Sequence, residues 1–426
     1  GLALLPLAST LLGGIVQWTH VVVIFNIIIP FFVFYLTSTI LLKRPGGYGE
    51  TSVLESNPDY EEYKSSKHWT KAFLIAFPLL LLGLSPFIFY YGFSYDPTFA
   101  QIGLSSFSPD TKIFGFMKLE NSTIGPLGPI AVILSLFIPL AIALFFSIAY
   151  SSKTKKLIKT RNDTKVLEDE FTNSLFQLGN RLGDGVPAEI AFAKVAESTR
   201  GQKTEGFFAI VNQNIQQLGM SLDKALFDQR RGVLIYYPSA LIATSMKILV
   251  ESVKKGLKVA AQSLMSISEY VKNIQKINQR LRDLLAEIVS DMKSNMTFLA
   301  PLLAGIVVGL SSMITIILSK LQEMSMTAGA EAGGTAGLGN LGNIVELFDV
   351  TQMIPPYFLQ ISVGIYLIEI IFILTSTLVT VESGRDPLKE KYDLARHLRS
   401  GISLYLITAL FSIIALTVLA AVALGA

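Results

Sequence analysis

Uncharged apolar runs of about twenty residues alternate with polar, charge-bearing segments along this chain. The runs near 20–42, 72–92, 128–152, 296–319 and 402–424 are each long enough to cross a bilayer, which takes about 20 mostly apolar residues. A sixth run, 357–381, qualifies although it carries Glu369. Residues 2–17 are apolar as well, so the expected number of spans is six or seven, with Gly13-Gly14 to Thr19 as the connecting turn. The chain opens on Gly1 rather than Met, which leads us to expect either more polypeptide upstream or a removed signal segment. The expected fold is all-α: a polytopic membrane protein with an N-terminal membrane region (1–152), a helical bundle (153–295) and a C-terminal membrane region (296–426).

The bundle is the 143-residue stretch between the third and fourth clear spans. Leu167, Phe171, Leu175, Leu178 and Leu182 recur at helical spacing and form one apolar face. Gly183-Asp184-Gly185 is a stop signal, because glycine accepts the left-handed conformation beyond a helix C-terminus. Pro187 then suits the first position of the next helix. Phe207, Val211, Ile215 and Leu218 mark another face, closed by Gly219, with Ser221 as an N-cap for a short helix through Leu226. Apolar residues at 257, 261, 264, 271, 274, 281, 285, 288 and 292 approach a heptad seam, interrupted by Ser268 and Asn278. No Gly or Pro lies between Gly256 and Pro301, or between Pro139 and Gly179. Stiff helices are therefore expected to run from the bundle into both flanking spans.

Charge sets the orientation, since loops on the cytoplasmic side collect Lys and Arg. Segments 43–71, 153–295 and 382–401 hold 5, 22 and 5 basic residues, whereas 93–127 and 320–356 hold 2 and 1. The first three are assigned to the cytosol and the C-terminus to the outside, giving a multi-pass protein of the cell membrane. The sequon Asn121-Ser122-Thr123 falls on the outer side, so Asn121 is a candidate glycosylation site. Segment 153–295 also carries 15 acidic residues, a net charge of +7. Anionic lipid headgroups or an acidic protein partner suit that surface. Nucleic acid does not, because nothing resembles a base-reading motif.

The chain has no cysteine, which excludes disulfides and thiol chemistry. His20, His68 and His397 are widely separated and have no ligand-like neighbours, so no metal site is expected. Gly337, Gly339 and Gly342 match G-x-G-x-x-G, but they lie in a glycine-rich outer loop without the strand and βαβ unit of a dinucleotide site. No phosphate-cradling loop, nucleophile elbow or zinc-protease motif occurs, so neither cofactor nor catalysis is expected. Glu369 is the one formal charge within the six clear spans. A carboxylate near the bilayer centre costs about 2.5–3.5 kcal/mol on insertion scales and usually faces protein. Two readings of the residue itself stay open: fixing helix packing, or transferring protons.

Three segments together resemble a known family. Phe171 to Ala191 contains a leucine-rich helix, a glycine turn and an alanine-rich helix start. Gly219-Met-Ser221-Leu222-Asp-Lys-Ala225-Leu226 is similar to a G-x-S-L-x-x-A-L segment. Ile248 through Gly256 to Tyr270 follows a helix–glycine–helix order. The order and spacing resemble the platform (inner-membrane core) proteins of type II secretion and type IV pilus systems, over about 166–310. The arrangement of spans looks most like the archaeal members, which serve archaella and adhesive pili. The family usually has two such domains, and one is visible here.

The resemblance implies a non-catalytic membrane platform. A hexameric secretion ATPase would bind from the cytosol, and pilin or archaellin subunits would pass into the filament, with Glu369 as a candidate contact for a passing substrate helix; a homo-oligomer fits the same picture. Candidate ATPase contacts are Arg181, Arg230, Arg231, Lys254, Lys255 and Lys258 in the bundle. Arg385, Lys389, Lys391, Arg396 and Arg399 are candidates in the last inner loop. A transporter or channel with a helical cytosolic module is the alternative, and a receptor-like protein is a third.

Overall fold

The computed structural model describes residues 17–41, 67–93, 95–98, 101, 112–118, 123–237, 239–331, 353–384 and 386–423. The expected span 2–17, Arg385, Asn121 and the glycine-rich match at 337–342 lie outside the described residues, save Gln17. The protein is an all-α polytopic membrane protein with, among the described residues, six helices long and apolar enough to cross a bilayer. The expected six clear spans all fall on these helices. A two-residue antiparallel ladder pairs β1 (Met117–Lys118) with β2 (Thr123–Ile124). The described residues form two compact units, one from 153–287 and one from the rest.

In the membrane unit, α1 comprises Trp18–Val22, a π-helical stretch Val23–Ile28 and Ile29–Leu41. Helix α2 (Lys67–Phe87) ends in the π-turn Ile88–Gly92. Both π stretches lie within two residues of a proline, Pro30 and Pro86, each of which removes one helical N–H. The expected span 128–152 is broken near its start, giving α3 (Pro129–Ser135) and α4 (Phe137–Gly183). Pro139 supplies the reason, since it has no N–H to give to the carbonyl of Ser135. At about 1.5 Å per residue, α4 is roughly 70 Å long.

Helix α11 (Pro356–Ser383) is the centre of the membrane unit. It is apolar around most of its circumference, the pattern of a helix buried on all sides. Trp18 stacks on Phe358, with ring centroids 4.9 Å apart. Tyr357 donates to the Gly83 carbonyl at 2.7 Å, and Phe146 meets Phe372 edge to face. A Cβ at Gly364 would overlap Pro139. Helices α10 (Ala300–Glu331) and α12 (Pro387–Ala423) form a second close pair. Gly305 and Gly309 leave room for Thr408 and Ser412, which added Cβ atoms would overlap. Small residues at this four-residue spacing let helices pack backbone to backbone in lipid. The outward faces keep bare apolar side chains, including Phe31, Leu74 and Phe411, each at least 70% exposed. Lipid is the solvent that suits them.

Two expectations change here. Segment 382–401 is mostly helix rather than loop: α12 starts at Pro387, after a turn through Gly384 at φ 78°. Asp386 accepts from the Lys389 backbone N–H at 3.0 Å and caps the new helix. Segment 93–127 is more than a connection, because Ile113, Phe114 and Phe116 are buried with Tyr357 and Ile138. The Asp96 carboxylate holds that stretch by accepting from the N–H groups of Phe114 and Phe116, both at 3.1 Å.

The second unit is a helical bundle of the C-terminal part of α4, α5 (Ala188–Ser198), α6 (Glu205–Gln216), α7 (Leu222–Phe227), α8 (Ala240–Val253) and most of α9 (Leu257–Ser294). The five predicted α4 positions, Leu167 to Leu182, are buried, four of them with no exposed surface. They pack against Phe192, Phe207, Phe208, Val211, Met246 and Leu264. Gly185, Gly219 and Gly256 take φ of 84°, 63° and 123°, conformations that a Cβ would strain. Pro187 sits one position earlier than expected, at the N-cap of α5. Leu218 is 49% exposed rather than part of the α6 face, because α6 ends at Gln216.

The heptad seam is buried only in its first half. Ala261 and Leu264 are in the core, and the expected interruption Ser268 is buried, donating to the Thr172 carbonyl at 2.9 Å. Ile274, Leu281 and Ile288 are exposed. The expected unbroken rod is helical throughout, but it widens into a π-turn at Asn295–Leu299 before α10. Pro301 accounts for the widening, since the Thr297 carbonyl loses its helical donor.

Candidate functional site

Glu369 lies on α11 with Ser362 two turns before it and Tyr366 one turn before it on the same side. That side faces α1: Ser362 donates to Asn26 Oδ1 at 3.1 Å, and Tyr366 meets Phe25 edge to face at 6.3 Å. Glu369 Oε2 is buried and has no hydrogen-bond partner among the described residues. A buried polar atom left unpaired costs about 1–3 kcal/mol, so such an atom calls for an explanation.

A second polar pair crosses from α11 to α12. The Tyr405 hydroxyl donates to Gln360 Oε1 at 2.7 Å, and both side chains are buried. Gln360 Nε2 is itself unpaired among the described residues. On α10, Ser311 Oγ is unpaired as well, while Thr315 donates to the Ser311 carbonyl at 3.0 Å. A search for formal charges misses all of these groups. Asn26 and Gln360 were legible as polar breaks in uncharged apolar runs, but their partners were not.

The three histidines are engaged separately. His20 accepts from the Gln17 N–H, His68 bonds Ser152 at 2.7 Å, and His397 bonds Thr375 at 3.2 Å. Among the described residues no cluster of three His, Asp or Glu side chains could hold a metal.

The basic candidates separate into groups. Arg181 near the end of α4, and Lys254, Lys255 and Lys258 around the α8–α9 turn, share one end of the bundle. The α4 and α9 backbones approach closely there, which Gly179 permits: an added Cβ would lie 3.2 Å from both the Ala261 carbonyl and Met265. The three lysines are exposed. Lys254 pairs with Glu251 at 2.8 Å, and that hydrogen bond is the main cause of its raised pKa. Arg230 and Arg231 occupy a different turn, after α7. Their backbone N–H groups donate to Asp228 at 2.8 and 2.9 Å and hold its carboxyl below the ordinary range. Asn214 braces the same turn by donating to the Arg231 carbonyl at 2.8 Å.

The last group belongs to the membrane unit, at the start of α12. Lys389 is half-buried, bonding Glu382 at 2.6 Å and Ser383 at 2.7 Å, with Lys293 4.0 Å from Glu382. Lys391 is also half-buried, whereas Arg396 and Arg399 are exposed. Lys389 therefore helps to fasten the α11–α12 turn.

Comparison of the chain with protein-family models, curated proteins and solved structures finds no match. What defines the class is the architecture: a multi-pass α-helical membrane protein with a helical bundle between its third and fourth spans.

Proposed function

We propose that this chain is the membrane platform of a type IV filament (archaellum or pilus) or a type II secretion-like assembly machine. It couples a cytosolic secretion ATPase to the insertion of pilin-like subunits at the filament base. The observation that supports the reading most is the position of the three resembling segments. Each places its glycine at a positive-φ turn, Gly185, Gly219 and Gly256, and these turns precede α5, α7 and α9 in the family order. The five basic residues in each of the short segments 43–71 and 382–401, against two in 93–127 and one in 320–356, support a cytosolic location for the bundle, which alternates with the latter two. Affinity purification of the full chain from its native membrane tests the proposal. Recovery of a hexameric ATPase is the expected outcome, and its repeated absence under mild solubilisation counts against it.

One observation favours a transporter or channel instead. Unpaired buried polar atoms on Glu369, Gln360 and Ser311 are the kind of groups that mark a pathway through a membrane. Proton or ion flux through purified protein in sealed vesicles, lost on changing Glu369→Gln, would move the assignment to that class.

A further inference from the structure

The second half of α9 carries an apolar stripe that, among the described residues, no other part of the bundle covers. Tyr270, Ile274, Ile277, Leu281 and Leu284 are 67%, 40%, 58%, 45% and 77% exposed. Their spacings of four, three, four and three residues are those of alternating d and a positions in a heptad. Lipid-facing helices elsewhere in the chain are apolar all round, but this one is not. Lys272, Lys276, Gln279, Arg282 and Asp283 surround the stripe and are polar. A narrow seam on a polar helix is the pattern that packs against another helix.

We propose that the stripe is a self-association surface, on which a second copy of this chain lays the same stripe in parallel. The flanking residues favour that occupant. In parallel register Asn273 faces Asn278 of the partner, two side chains that can each donate and accept. Arg280 faces Leu285 of the partner, over which its alkyl stem can lie while its head stays in water. No like charges meet. Antiparallel pairing of Ile274 and Ile277 with Leu284 and Leu281 would instead set Arg280 against its own copy. The five residues expose roughly 600 Å² per copy, so complete burial in two copies gives at most about 1,200 Å², the order of the roughly 1,000 Å² expected of a specific interface. The inference does not depend on the platform reading.

The native chain has no cysteine, so single replacements report on the contact cleanly. In the full chain reconstituted in bilayers, Ile274→Cys and Leu281→Cys should each give disulfide-linked dimers under mild oxidation. Gln279→Cys, on the opposite face, should give less than a tenth as much. The double change Ile277→Lys and Leu281→Lys should weaken dimerisation at least tenfold by mass photometry without lowering helix content, since both positions are exposed. Equal cross-linking at 279, cross-linking at only one seam position, or a wild-type chain that is monomeric at micromolar concentration would each overturn the proposal. So would a lysine variant that still dimerises.

Discussion

Glu170 of α4 accepts hydrogen bonds from the backbone N–H groups of Lys203, at 2.7 Å, and Thr204, at 3.3 Å. Its neighbours reach elsewhere: Glu168 accepts from Ser239, the N-cap of α8, and Asp169 accepts from Gln275 of α9 at 2.7 Å. Three consecutive acids thus fasten three elements to one turn of α4. For Glu170→Ala, the lost cap should cost about 1–2 kcal/mol locally. Hydrogen exchange on the full chain should show faster exchange confined to the start of α6, and unchanged protection there would count against the clasp.

The Tyr405–Gln360 pair predicts non-additivity. Tyr405→Phe leaves Gln360 Oε1 buried without its donor and should destabilise by about 1–3 kcal/mol. Adding Gln360→Leu removes the orphaned amide as well, so the double variant should recover part of the loss. Thermal unfolding in one detergent checks this. A double variant as weak as the sum of the singles would mean that the hydrogen bond is unimportant.

At Gly309 the prediction is steric. Gly309→Leu drives a side chain into Ser412 and the α12 backbone, so α10 and α12 must separate. A loss of about 1–3 kcal/mol is expected. Gly92, around which a Cβ meets nothing, is the control: Gly92→Ala should be tolerated.

Glu369 can be tested by separating stability from function. Glu369→Leu removes an unpaired buried oxygen and should leave the membrane unit as stable or more stable. Under the platform proposal, if Glu369 only fixes packing, filament assembly should persist in Glu369→Gln, which keeps size and hydrogen bonding. Assembly lost in the Gln variant at normal membrane abundance would assign the carboxylate to substrate contact.

The basic groups can be separated in the same way. Under the same proposal, reversing Lys254, Lys255, Lys258 and Arg181 together should weaken ATPase capture and flatten its salt dependence, because exposed charges act over about 8–10 Å. Reversing Lys389 should instead lower stability, since it breaks the Glu382 pair within the α11–α12 turn. Equal capture by the wild type and the four-site variant would remove that end of the bundle from the interface.

The periodicity of Leu167 to Leu182 identified an α4 core face because each of those side chains finds apolar partners wherever the other helices lie. Tyr405 and Gln360 are 45 residues apart, and no local pattern distinguishes them from polar residues facing lipid or water. The same limit explains the seam of α9. Its spacing announced a partner along the whole helix, but α4 covers it only as far as Ser268 and Gln275. The break at Leu136 and the helical start of α12 turned on single residues, Pro139 and Asp386, whose effects depend on the backbone around them.

The sequence by itself determined the class. Twenty-residue apolar runs must hide their backbone polar groups in helices once they meet lipid, and glycine-marked turns divide the bundle between them. Only the tertiary structure decided that α11 is the central helix and that Gly305 and Gly309 face α12. It alone showed Glu369 with an oxygen unpaired among the described residues, and Tyr270, Ile274, Ile277, Leu281 and Leu284 of α9 exposed. Hydropathy reports that a side chain leaves water, but packing decides whether lipid or protein receives it.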